Sequence, residues 1–243
     1  MRKTGEFICM LCWCLPALLG AGTDIKPPLF VWDINFNGDS LGKPPRPITK
    51  EQMEIQQEDL VASLPIKTYS TIEYLTSSRR STVMQEAAGL KDKPVLFDYE
   101  ESEQPHYGPR MWCKVPDELA KRGKSWRLSF DVAKGDVEKS GGVKVWDVTS
   151  INFHEDGVVR AGTVEIARYA PNKPLHIECV ISVQKKTAKI TINGEAGRSV
   201  EIPWEKPGAV AFSAVTFDGL QPGGFARAPS SIAFDNIRLV MEE

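Results

Sequence analysis

The sequence lacks dense runs of basic residues, and this absence excludes a class of partner. The chain has 243 residues with 30 Lys and Arg against 32 Asp and Glu, which gives a formal net charge of -2. Its basic residues cluster only in short pairs such as Arg79-Arg80 and Lys185-Lys186. A nucleic-acid-binding face needs a basic stripe that neutralises several phosphates. We therefore expect no nucleic-acid partner.

Cysteine is also scarce once the N-terminal segment is set aside. Three of the five cysteines fall within the first 22 residues, which leaves Cys113 and Cys179. No Cys-x-x-Cys pair remains beyond that segment and the three histidines lie far apart, so nothing predicts zinc. Two cysteines in an oxidising compartment permit one disulfide, and the alternative is two separate buried thiols. We expect the Cys113–Cys179 bridge.

No apolar run of the sequence is long enough for a comfortable membrane span. The N-terminus carries Arg2 and Lys3, then a largely apolar run over 7–19 and the small residues 20–22. This order predicts a secretory signal peptide over residues 1–22, with an uncleaved N-terminal anchor as the alternative. We therefore expect an exported protein, secreted or periplasmic, with no membrane span after signal cleavage.

Strict alternation is the clearest structural signal. Apolar residues occupy every second position over 175–183, and the same period holds over 126–132. A period of two is that of a strand with one buried face. Further strand candidates lie at 29–36, 66–75, 95–99, 110–115, 143–153, 158–169, 188–192, 198–202, 210–217 and 231–240. At least eight strands without intervening helical repeats predict an all-β protein of two packed antiparallel sheets.

The length after residue 22 suits one all-β domain, and we expect it to span 23–243. Only residues 48–64 have helical character, because Thr49 could cap a helix and Gln52 follows three residues later. Their apolar spacing is irregular. We expect a short helical or loop insertion after the first strand.

The alternation of apolar residues breaks near Asp235 in the closing strand candidate. If Ile232 and Phe234 face the core, strict alternation turns Ile237 and Leu239 outward. A bulge near Asp235 could reset the register, with the carboxylate held by backbone N–H groups. The alternative is that Asp235 faces the same side as the later apolar residues and needs a cation, such as a structural calcium ion. We favour the bulge.

Four segments together resemble the concanavalin A-like lectin and glucanase superfamily, in particular the laminin-G-like jelly-roll domains of exported bacterial proteins. They are Asn-Phe-Asn-Gly-Asp-Ser-Leu-Gly at 35–42, Leu-Ser-Phe-Asp-Val at 128–132, the hairpin candidate 175–194, and Phe-Asp-Asn-Ile-Arg-Leu at 234–239. The resemblance implies a two-sheet antiparallel jelly-roll sandwich in which the first and last strands pair. It also implies a structural calcium shared by an acid of each of these strands, for which Asp235, Asp33 and Asp39 are the candidates. No other cofactor is expected.

Glucanases of this superfamily use carboxylates at alternate positions of one strand, which can place a retaining pair about 5 Å apart. The nearest match is Asp98 and Glu100, but Ser102 stands where a third acid would be expected. A solvated acidic loop leaving a strand is the favoured interpretation. The Arg, Gln, His and Tyr cluster of related alginate lyases is not recognisable. We therefore expect no catalytic residues, with a divergent hydrolase or lyase using 98–112 as the alternative.

Carbohydrate binding requires fewer specific residues than catalysis does. Exposed aromatic faces with planar amides and carboxylates near them are sufficient. The aromatic candidates are Tyr107, Trp112, Trp146, Trp204 and Phe225, while Trp126 continues the apolar face of its strand and is expected in the core. For Trp146 the core is an equal alternative, and for Trp204 surface packing is favoured. The expected function is binding of a glycan or another cell-surface ligand. A structural envelope protein is a further alternative.

Overall fold

The computed structural model describes residues 30–43, 45, 53–54, 79–99, 110–115, 117–136, 141–193, 199–219 and 230–242. These ranges form strands and one short helix, α1, at Asp117–Arg122. The strands are β1 Phe30–Ile34, β2 Met53–Glu54, β3 Arg79–Val83, β4 Val95–Tyr99, β5 Arg110–Lys114, β6 Ser125–Lys134, β7 Gly141–Val145, β8 Thr149–Phe153, β9 Val158–Ala161, β10 Val164–Arg168, β11 Leu175–Ser182, β12 Thr187–Ile192, β13 Ser199–Pro203, β14 Ala214–Asp218 and β15 Ser230–Glu242.

The strands form two antiparallel sheets. The nine-stranded sheet has the order β13-β12-β11-β6-β15-β1-β2, with β4 paired to β15 and β3 paired to β4. The six-stranded sheet has the order β10-β9-β8-β7-β14-β5. The first and last strands pair, with Phe30 opposite Met241 and Ile34 opposite Ile237. The expected two-sheet antiparallel jelly-roll sandwich is confirmed.

The core lies between the sheets and is built from alternate residues of the strands. Along β6, Trp126, Leu128, Phe130 and Val132 are all fully buried, as the alternation predicted. Aromatic rings join the two sheets, since the Phe217 ring of β14 lies 5.6 Å from that of Phe130 and 5.2 Å from that of Phe234. These edge-on contacts are among the geometries that aromatic pairs prefer.

The closing strand contains the predicted bulge. Its register against β6 shifts between Asp235 and Arg238, and Asn236 has a φ of 50°. The extra residue lets both Phe234 and Ile237 reach the core, where each is fully buried. The backbone N–H of Asn236 donates to Asp235 Oδ1 at 2.8 Å. The carboxylate is therefore held by a backbone N–H group, as expected for the bulge.

The predicted Cys113–Cys179 bridge is wrong. Both residues are free cysteines, and both are completely buried in the core. Cys113 belongs to β5 of the six-stranded sheet and Cys179 to β11 of the nine-stranded sheet, so each packs as a small apolar residue on its own layer. Burial raises the pKa of both thiols, to about 12 for Cys179.

The predicted signal peptide, residues 1–22, lies outside the described residues. Most of the predicted insertion at 48–64 lies outside them as well. Within that insertion Met53 and Glu54 form the short strand β2 beside β1, which is neither the helix nor the loop that we expected. Within the described ranges, no helix has the length and apolar character needed to span a bilayer.

Candidate functional site

The outward side of the six-stranded sheet carries polar residues in register across its strands. In β7, Val143 and Val145 point into the core, so Lys144 between them points outward. Two rows result, which we call the polar face. One row runs through Asp218, Gly142, Asn152, Arg160 and Glu165, and the next through Thr216, Lys144 and Ser150.

The middle of the polar face is covered although its side chains are polar. Thr216, Asp218 and Asn152 are 0%, 3% and 7% exposed. Thr216 Oγ1 donates to Asp218 Oδ2 at 3.3 Å. The Oδ1 atom of Asn152, by contrast, is buried and accepts no hydrogen bond within the described structure. Burying an acceptor without a partner is unfavourable, so this amide oxygen calls for an explanation.

The space beside Asn152 depends on a glycine. A Cβ atom at Gly142 would clash with the carbonyl oxygen of Ile151 and would lie 3.1 Å from Asn152 Oδ1. Because Gly142 is the register partner of both Asn152 and Asp218, the row has no side chain at this position. On the β7 side, the amide of Asn152 therefore lies beside bare backbone.

Lys144 and Trp146 form the cationic part of the polar face. The Nζ atom of Lys144 lies 4.8 Å from the centre of the Trp146 ring, which is a cation–π contact. Trp146 follows β7 directly, and its backbone N–H donates to the carbonyl of Ala214 at 3.0 Å. The ammonium group covers one side of the indole. Trp146 therefore borders the polar face, but that side of its ring is not an open platform for a sugar.

Arg160 has a different environment from Lys144. Its Nη2 atom lies 2.7 Å from Asp156 Oδ2, and the other oxygen of Asp156 accepts from the backbone N–H of Val158 at 3.1 Å. The hydrogen bond from Arg160 lowers the pKa of Asp156. The charge of Arg160 is thus balanced within the β8–β9 hairpin. It serves to order the turn beside the polar face.

The first row of the polar face ends at the sheet edge, where β10 lines a cavity of about 370 Å³. The described lining residues are Glu165, Ile166, Ala167 and Arg168. Glu165 is the register partner of Arg160, and the pairing shifts between Glu165 and Ala167. A volume of this size is at the lower end of that found in small-ligand sites. The polar face therefore reaches a concave edge.

The structure treats the five aromatic candidates differently. Trp204 is only 2% exposed, its Nε1 donates to the carbonyl of Thr187 at 3.2 Å, and Lys186 Nζ lies 4.2 Å from its ring. The indole packs into the core, which contradicts both the binding role considered for Trp204 and the surface packing that was favoured. Trp112 lies in β5 opposite Thr216, and only its backbone is described. Tyr107 and Phe225 lie outside the described residues.

The described candidate carboxylate, Asp98, lies away from the polar face. Asp98 belongs to β4 of the nine-stranded sheet, opposite Ser231 of β15. Glu100 lies outside the described residues. Asp98 and the polar face thus belong to different layers of the sandwich, so the one described member of the Asp98/Glu100 pair contributes nothing to the site above.

The three aspartates considered for calcium are all described. Asp33 is exposed, whereas Asp39 and Asp235 are buried. Burial is the main cause that raises the pKa of the Asp235 carboxyl to about 7; the charges of Asp131 and Asp92 act in the same direction, and the hydrogen bond from the backbone N–H of Asn236 opposes them. Among the described residues no group of three or more His, Cys, Asp or Glu side chains is placed to hold a metal ion. The predicted set is therefore not assembled as a metal centre.

A lysine occupies the turn where a cation was expected. Lys93 Nζ donates to the carbonyl oxygens of Asn37 at 2.9 Å and Asp39 at 3.2 Å. An ammonium group thus neutralises the carbonyl dipoles of the turn after β1. Sequence reasoning missed this contact because Lys93 lies more than fifty residues beyond that turn.

A second polar cluster surrounds the bulge on the outward side of the nine-stranded sheet. Asp131 Oδ1 lies 2.7 Å from His176 Nδ1, and Asp131 Oδ2 accepts from Asn236 Nδ2 at 2.7 Å. Asp131 is the register partner of both His176 and Asp235. Because both oxygens of Asp131 are engaged, the cluster fixes the bulge.

Several solved structures align with this chain at low sequence identity. A sialidase aligns over 71% of this chain and 18% of its own length, with a TM-score of 0.49 and 13% identity. The alginate lyase vAL-1 from Chlorella virus aligns over 72% and 94%, with a TM-score of 0.49 and 12% identity. A botulinum neurotoxin type C structure, described as interacting with two ganglioside molecules, aligns over 68% and 48%, with a TM-score of 0.41 and 11% identity.

The present chain thus spans about a fifth of that sialidase and about half of that neurotoxin chain. No protein-family model matches the sequence, and no curated protein matches it. The similar folds include enzymes as well as a ganglioside-interacting protein, so the likeness does not choose between catalysis and binding.

Proposed function

We propose that this protein is an exported, non-catalytic domain that binds a glycan on the polar face of the six-stranded sheet. The observation that carries the proposal is the buried, unpaired Oδ1 atom of Asn152 beside the bare backbone of Gly142. A planar amide suits this task because sugar hydroxyls can donate to its oxygen and accept from its nitrogen. A bound glycan would supply the hydrogen bond that Asn152 lacks.

The surroundings of Asn152 also suit a polar, extended ligand. Ser150 and Lys144 lie in the neighbouring row, and Arg160 continues the row of Asn152 towards the cavity at β10. Hydroxyl, ammonium and amide groups thus follow one another along a single surface. A ligand with many hydroxyl groups can contact several of them at once.

The described acids of the polar face favour binding over hydrolysis. A retaining glycosidase needs two carboxyl groups about 5 Å apart, one of them free to attack. Here Asp218 is buried and bonded to Thr216, and Glu165 lies 3.6 Å from Arg168. Beside the face, Asp156 is paired with Arg160. A divergent hydrolase or lyase is the alternative function, and a structural envelope protein is the third.

The first experiment is a glycan-array screen of the purified protein, followed by a product assay on every hit. We expect binding without products, and a loss of at least tenfold in affinity in the Asn152→Leu variant because a buried ligand hydrogen bond is removed. Thr191→Val, on the outward side of the nine-stranded sheet, is the matched control. Products would establish the enzymatic alternative. Hits that bind Asn152→Leu as tightly as the parent would place the site elsewhere, and an array without hits would favour the structural role.

A further inference from the structure

We infer that the glycan bound at the polar face carries acidic groups, carboxylate or sulfate, and that Lys144 is the residue that selects them. This inference rests on the proposed function and specifies its ligand class. It starts from the charges of the polar face, where Arg160 is paired with Asp156 and Arg168 lies 3.6 Å from Glu165. Lys144 has no ion-pair partner in the part of the chain that the structure describes.

The position of Lys144 is set by its contact with Trp146. A cation over an aromatic face is attracted by the ring and keeps its N–H groups free to donate to a further acceptor. The same contact closes one side of the indole to the apolar side of a neutral sugar. Lys144 and Trp146 together therefore favour an anionic group over a sugar that binds by stacking alone.

The neighbours of Lys144 provide the rest of the contact. Its register partners Thr216 and Ser150 lie on either side, on adjacent strands. Asn152 lies two residues beyond Ser150, which makes it a diagonal neighbour of Lys144 at roughly 7 Å between side chains. An acidic group at Lys144 thus leaves a hydroxyl of the same or the next sugar near the buried oxygen of Asn152. Within the described structure, an amide oxygen without a hydrogen bond and a cation without an ion pair therefore form one site.

The test uses oligosaccharides in matched pairs. Hexuronate oligomers are compared with their carboxyl-reduced counterparts, and sulfated oligomers with desulfated ones, by calorimetric titration of the purified protein. We expect the acidic member of a pair to bind at least tenfold more tightly, with the preference decreasing as salt is added because the ion pair is partly exposed.

Three variants separate specificity from stability. Lys144→Met should reduce the preference to less than twofold, chiefly by weakening binding of the acidic member, and Lys144→Arg should restore part of the preference. Lys189→Met, a charge removed from β12 of the other sheet, should change neither value. Equal binding of both members, or a preference that survives Lys144→Met, would overturn the inference. If neutral glycans bind through Asn152 as tightly as acidic ones, the proposed function stands and the inference fails, whereas the absence of any glycan binding refutes both.

Discussion

Replacing Asp235 by asparagine should make the protein more stable at alkaline pH. The carboxyl group of Asp235 is buried at the bulge of β15 and faces the charges of Asp131 and Asp92, and its pKa is raised from 3.8 to about 7. An amide of the same shape cannot ionise, yet its oxygen can still accept the hydrogen bond from the backbone of Asn236. The substitution therefore removes the charge and keeps the contact.

The magnitude follows from linkage. Because the pKa is higher in the folded state, the unfolded chain releases this proton first as the pH rises, and stability falls between about pH 4 and pH 7. The stabilising effect of the raised pKa is complete below the unfolded value and is lost as the pH passes the folded value. A shift from 3.8 to about 7, at about 1.4 kcal/mol per unit, gives an upper limit of about 4 kcal/mol.

The measurement is the free energy of unfolding by urea at intervals between pH 4 and pH 9. We expect Asp235→Asn and the parent to agree near pH 4 and the variant to be more stable by up to about 4 kcal/mol at pH 8. Asp33→Asn, which removes an exposed carboxylate from β1, serves as the control and should follow the parent. Parallel curves for the parent and Asp235→Asn would show that Asp235 is ionised without penalty in the folded protein and would refute the reasoning.

Three further predictions concern the cysteines, the turn after β1 and the calcium candidates. In a chain without residues 1–22 that is denatured in the absence of reductant, two thiols should titrate, those of Cys113 and Cys179. If no thiol titrated, the result would support the Cys113–Cys179 disulfide instead. Lys93→Met should lower the free energy of unfolding by about 1–3 kcal/mol, because two backbone carbonyls lose a charged donor. Chelation of calcium should leave the melting temperature of the parent unchanged, and an increase of several degrees on adding calcium would instead support the calcium site.

The fold could be predicted where the signal is local. Alternation over β6 and β11 identified the inward residues, and the break in alternation after Phe234 predicted the bulge, because both depend only on neighbouring positions. The pairing of Cys113 and Cys179 could not be predicted in this way. It depends on which sheet each strand joins, and that is a property of the whole topology.

The candidate site was harder to predict for the same reason. Lys144 and Asn152 lie on different strands and become neighbours only through the β7–β8 register. The alternation of Val143 and Val145 around Lys144 was a usable signal for its outward position, whereas nothing local showed that Trp204 would be covered. Aromatic residues attract attention in a sequence, but their burial is decided by segments far along the chain.

The place of β15 in its sheet has a consequence for how the chain folds. This strand holds residues 230–242, yet it pairs with β1, β4 and β6, which come from the first 134 residues. During synthesis β1 must therefore wait about two hundred residues for β15. Until then the edge of β1, β4 and β6 that pairs with β15 stays open. Folding that depends on such distant pairing is expected to be slow. A chain held extended until its last strand emerges would avoid the premature edge contacts that lead to aggregation.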